Sequence, residues 1–150
     1  MDFLCLPQDP QWLTYNTGST PVASWMRSVE YISKDYGIFS STINQKRAVC
    51  ARCFTQSRPA IIMIPARTTC PSGWTREYYG YLMASYEGYA HPSNYICVYY
   101  SPSYYTHSDP GQGGGLTFVN ADCDGEGTID ECGTGEYVNN RQLTCVVCSR

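Results

Sequence analysis

Residues 142–148 read Gln142-Leu143-Thr144-Cys145-Val146-Val147-Cys148, a β-branched run that carries a C-x-x-C unit. Working back 48 residues from Cys145, a lone cysteine sits in a second apolar run, Tyr95-Ile96-Cys97-Val98. The same order occurs earlier: Phe3-Leu4-Cys5-Leu6 leads, after 45 residues from Cys5, to Cys50-Ala51-Arg52-Cys53. Two such similar spacings in a chain with no low-complexity tract indicate an internal duplication. The division that follows is an incomplete first repeat over residues 1–57 and a complete second repeat over 58–150, expected to form one compact unit.

The copies differ in length. Ahead of Cys97 lies a further unit, Ile64-Pro65-Ala66-Arg67-Thr68-Thr69-Cys70-Pro71-Ser72-Gly73-Trp74, whereas ahead of Cys5 there is only Met1-Asp2-Phe3-Leu4. The front half of the first repeat is absent from this sequence, which accounts for the odd total of nine cysteines. The counterpart of Cys70 is expected upstream of residue 1.

Between turn signals the segments read as β. Arg58 to Pro65 is a short apolar strand with prolines toward both ends, Asn94 to Tyr100 is a second, and Gln142 to Val147 a third. β-branched and aromatic residues fill these runs, and Gly, Pro, Ser and Asn separate them. The one helical candidate spans Trp25 to Ile32, where Trp25, Val29 and Ile32 share a face. The predicted class is all-β or nearly so.

The run Cys70-Pro71-Ser72-Gly73-Trp74, followed by Gly80-Tyr81-Leu82-Met83, the Cys97 strand, a short cysteine hairpin and the terminal Thr144-Cys145-Val146-Val147-Cys148, resembles the carboxy-terminal non-collagenous domain of the short-chain, spongin-type collagens of invertebrates. Those domains are similar in turn to the duplicated terminal domain of type IV collagen. The likeness runs over most of residues 2–150 and is densest from Ile64 to Tyr81. It implies a disulfide-stapled fold of two pseudo-repeated β lobes. The chain departs from the family in its truncated first repeat and in having no Gly-X-Y tract, so it forms no triple helix by itself.

The resemblance also implies a pairing scheme, which sequence alone does not select. In the second repeat it gives Cys70–Cys148, Cys97–Cys145 and Cys123–Cys132, and in the first Cys5–Cys50. Cys53 is left over, either a free thiol or an intermolecular link to a chain that supplies the missing half-repeat. Each long-loop bridge typically stabilises by about 2–4 kcal/mol through its restriction of the unfolded chain.

Nine Cys and 14 Tyr in 150 residues, with 15% charged, suit an extracellular chain that staples a modest core. The alternative is a cytosolic protein with reduced thiols, since nothing in the sequence exports it. The start lacks the basic region and long apolar core of a signal peptide, so Met1 is expected to be an introduced start or that of a truncated product. A net charge of -3 gives no electrostatic reason to expect nucleic acid or an anionic membrane as partner. No apolar run approaches the roughly 20 residues of a membrane span. There is no N-x-S/T acceptor for N-glycosylation.

Paired C-x-x-C units are also the ligand set of structural zinc, but those here are about 92 residues apart rather than the roughly 15–20 usual in zinc ribbons. A thioredoxin-like role would need the motif to open a helix. Calcium is the remaining candidate cation, through Asp122, Asp124, Glu126 and Asp130, whose alternation around Gly127 follows the pattern of oxygen ligands in a calcium loop. Gly133 stands where the bidentate glutamate belongs, and a disulfide-closed hairpin with an acidic tip is the favoured reading; no cofactor is expected.

No catalytic motif is present. His91 and His107 lie in turn-rich stretches, and His107 beside Ser108 and Asp109 is a local cluster, whereas a Ser-His-Asp triad is assembled from separated segments. No enzyme activity is expected. Tyrosines crowd residues 78–105. Of these, Tyr81, Tyr95 and Tyr99 are read as structural, and Tyr100, Tyr104 and Tyr105, with His107, as exposed near a binding loop. The functional expectation is a secreted, non-catalytic extracellular-matrix module that assembles with like chains, as a homo-oligomer, or binds matrix partners. The alternative is a soluble carbohydrate-binding protein that stacks tyrosines on glycans, with or without calcium.

Overall fold

The computed structural model describes residues 3–14, 26–33, 37–88, 93–106, 114–123, 132 and 136–150. Among these residues eight strands occur: β1 (Val29–Tyr31), β2 (Arg47–Ala48), β3 (Ile61–Pro65), β4 (Thr75–Ala84), β5 (Ile96–Tyr99), β6 (Tyr104–Tyr105), β7 (Gly114–Phe118) and β8 (Thr144–Ser149). A single 3-10 turn covers Ser41–Ile43, and no α-helix occurs among the described residues. The fold is nearly all-β and disulfide-stapled.

The strands form one sheet in the order β3-β8-β4-β7-β1-β2-β6, with β5 added to β4. β8 lies between β3 and β4, antiparallel to both, with Met63 and Tyr78 opposite Val147 on its two sides. Cys145, Val146, Cys148 and Ser149 are fully buried, as expected of a β-branched strand with neighbours on either edge. Among the described residues β3 has no second neighbour; the apolar run that suggests a strand from Arg58 forms one from Ile61, at the sheet's margin, with Ile61 and Met63 exposed.

The Trp25 to Ile32 stretch is not helical where it is described. Val29–Tyr31 is β1, parallel to β7 through Val29↔Gly114 and Tyr31↔Leu116, and antiparallel to β2 through Glu30↔Arg47. Two strand edges at hand override a weak helical periodicity in a segment of good β-formers. Trp25 lies outside the described residues.

Segments from residues 1–57 and 58–150 share both sheet and core. Phe39 meets Tyr31 at 6.3 Å, Tyr81 at 5.6 Å and Phe118 at 5.0 Å between ring centroids. Tyr31, Phe39 and Ile43 form one buried cluster with Met83, Val98 and Leu116.

Two glycines shape the second half. Gly73 has φ +80° and is the third residue of a turn closed by the Trp74 N–H to the Pro71 carbonyl at 3.1 Å, a conformation only glycine adopts without strain. At Gly80 the end of β5 closes tightly on β4, Tyr99 lying opposite it. A Cβ there would fall on the Val98 carbonyl oxygen, with the Tyr100 nitrogen 2.7 Å away. This approach brings β5 within reach of β8 across β4.

Candidate functional site

The structure holds four disulfides, Cys5–Cys50, Cys70–Cys148, Cys97–Cys145 and Cys123–Cys132, with Cα separations of 5.5, 5.9, 5.7 and 5.7 Å. These are the four pairs named from the resemblance. Cys145 and Cys148 are three apart on a strand, so their side chains leave opposite faces. Cys145 reaches Cys97 over Gly80, while Cys148 reaches the turn before β4. Cysteines so arranged neither converge on one ion nor bond to each other. Four bridges are compatible with an extracellular protein.

Cys53 is free and exposed. It lines an open groove of about 490 Å³ with Phe54, Arg58, Pro59 and Ile61. Arg58, from this lining, joins a polar network with Ser149 and Glu77. Arg58 Nε donates to Ser149 Oγ at 2.7 Å and Arg58 Nη2 to Glu77 Oε1 at 3.0 Å, and the Ser149 hydroxyl donates to the same carboxylate oxygen. These donors hold the Glu77 carboxyl below its ordinary range, the serine first and the arginine second. The Tyr78 hydroxyl donates to the Cys97 carbonyl at 3.1 Å, and burial, with the nearby Cys53, pushes its pKa up.

A second groove of about 350 Å³ opens on the Met63 side of β3, lined by Met63, Pro65, Leu82, Tyr95 and Leu143. Tyr95 is 61% exposed here and Tyr99 is also exposed, so neither fills the structural place expected of it. Tyr95 precedes β5, and along that strand Val98 takes the inward position and leaves Tyr99 outward. Tyr81 does pack against the core.

No family model matches the chain, and no solved structure is significantly similar to it.

Four of the exposed tyrosines fall into two pairs, Tyr99 with Tyr100 and Tyr104 with Tyr105. Tyr100 stacks on Tyr79 at 5.0 Å with 16° between planes and touches Tyr99 at 4.5 Å, and the Arg76 guanidinium lies 4.8 Å over the Tyr79 ring. A hydrogen bond with Tyr100 raises the Tyr99 pKa. Tyr104 and Tyr105 sit instead on β6, opposite Ala48 and Arg47, with Tyr104 reaching Thr42 Oγ1 at 3.4 Å. Arg76 and Tyr79 were not anticipated as a pair. A bulge between Arg76 and Tyr78 resets the alternation and brings residues three apart onto one face.

His107, Asp124, Glu126 and Asp130 lie outside the described residues. Asp122 is described and borders the Tyr95 groove, and the Cys123 N–H beside it donates to Asn139 Oδ1 at 3.0 Å. Among the described residues no group of three or more His, Cys, Asp or Glu is placed to hold a metal, and no helix is long and apolar enough to cross a membrane.

Proposed function

We propose that this chain is a secreted, non-catalytic module of the extracellular matrix whose stapled β scaffold assembles with like chains or matrix partners. The observation that carries the reading is Cys53. Cys50-Ala51-Arg52-Cys53 occupies in the first repeat the place that Cys145-Val146-Val147-Cys148 occupies in the second. Cys148 is buried in a bridge to Cys70, while its counterpart Cys53 is exposed and unbonded beside an apolar groove. A thiol so placed is available to a partner that brings a further cysteine. The resemblance to spongin-type non-collagenous domains supports the matrix setting, and the four bridges support an oxidising compartment.

Intact mass and peptide mapping of non-reduced protein test this. The expected result is four intrachain bridges, with Cys53 either free or joining two chains. Nine free thiols in natively isolated protein would end the extracellular reading.

The Arg76–Tyr79–Tyr100–Tyr99 array favours a second reading, a carbohydrate-binding protein, because exposed rings beside a guanidinium suit the faces of sugars. A glycan array with and without chelator separates the two. Specific sugar binding lost in Tyr100→Ala would favour the second, and concentration-dependent oligomers without glycan binding the first.

A further inference from the structure

Among the described residues β3 ends its sheet, and the pattern of its backbone groups shows what could continue it. Ala60 and Arg150 exchange both backbone hydrogen bonds, at 3.1 and 3.0 Å, and the Ala66 N–H donates to the Thr144 carbonyl at 2.8 Å. Antiparallel pairing alternates, so Ile62 and Ile64 direct their amides and carbonyls to Cys148 and Val146. Those of Ile61 and Met63 point away from the sheet, and among the described residues nothing takes them. Pro59 and Pro65 fall at the same outward positions on either side and have no N–H to offer. The open edge is therefore a short window, closed at both ends and symmetric about Ile62.

The side chains around this window are apolar and accessible. Ile61 is 55% exposed and lies beside Phe54, 87% exposed, in the Cys53 groove. Met63, 39% exposed, lies beside Tyr95 in the other groove. Together these four side chains offer on the order of 500 Å² per copy, so two copies reach the roughly 1,000 Å² at which specific interfaces begin. No charged residue occurs from Pro59 to Pro65, so like copies do not repel there.

Resting on the assembly reading above, we propose that a second copy of this chain adds its β3 antiparallel to this edge, about a two-fold axis at Ile62. Ile61 then exchanges both backbone bonds with the partner's Met63, and Met63 with the partner's Ile61. Proline meets proline beyond each end, which stops the pairing from spreading. Moving the axis to Ile61 or Met63 sets a proline ring against a carbonyl of the bonding window, so the symmetric register is favoured. An unrelated strand carrying amides on both sides of the window would find no complete pairing opposite Pro59 or Pro65.

The test uses Cys53→Ser protein throughout, so that a thiol cross-link is not mistaken for strand pairing. Met63→Pro removes one outward amide and leaves every bond to β8 in place; Ile61→Lys puts a charge on the edge. Sedimentation equilibrium should show a dimer for Cys53→Ser alone and at least about tenfold weaker association in both further variants. The Ile61 and Met63 amides should exchange more slowly as protein concentration rises. Undiminished dimers in both variants would overturn the β3 edge while leaving assembly standing through another surface. A monomer at all concentrations would overturn assembly between like chains and this edge with it. Slow exchange of those amides in a monomer would mean that another segment covers β3, which also overturns the proposal.

Discussion

At Gly80 the absence of a side chain lets the end of β5 close on β4, because the Val98 carbonyl occupies the place of a Cβ. The Gly80→Ala variant should lose about 3 kcal/mol of stability, the upper end for overpacking against backbone, read as a lower denaturant midpoint with the same slope. Glu77 makes a different kind of prediction. Its folded pKa lies below the ordinary 4.5 because Ser149 and Arg58 donate to it. Its contribution is therefore present above that value and is lost as pH falls through the lowered folded value. Urea midpoints should fall on acidification below about pH 4.5, and Glu77→Gln should flatten that part of the profile. Burial raises Tyr31 and Tyr78 above 10, so their contribution is intact below pH 10 and declines as pH rises through their folded values.

Among the elements, β3, β5 and β8 were legible because each is a β-branched or aromatic run between turn residues, and the pattern survives in the fold. β1 was not, since three residues between two other strands leave too short an alternation to outweigh a chance helical spacing. The Arg76–Tyr79 pair was hidden by the bulge, which breaks the two-residue period by which strand faces are read. The exposure of Tyr95 and Tyr99 was missed for a related reason. Tyrosine suits either face of a sheet, and the neighbours that decide it come from β3, β4 and the segment after β7. The Cys97–Cys145 bridge joins β5 to β8 across 48 residues. Replacing both cysteines by alanine should cost about 2–4 kcal/mol in thermal or chemical unfolding, and the Tyr78 contact to the Cys97 carbonyl should loosen with it.

For the molecule as a whole, residues 1–57 and 58–150 are not physically independent, since they share one buried cluster. Phe39 is the joint, packed on Tyr31 from one part and on Tyr81 and Phe118 from the other. Phe39→Ala should cost roughly 3–5 kcal/mol. Limited proteolysis should then cut first within residues 1–57, while the Cys70–Cys148 and Cys97–Cys145 bridges hold the remainder. Simultaneous cleavage in both parts would show that the two halves stand or fall together.

The parallel pairing of β1 with β7 sets a constraint on how the chain is born. Val29 leaves the ribosome long before Gly114 exists, and at about 5–20 residues per second the wait lasts several seconds. During it, a strand destined for the interior has only the short β2 hairpin for company, and β2 itself awaits β6. The sheet cannot close in the order in which it is made, so this amino-terminal segment is the part of the nascent chain that most needs shelter from its neighbours.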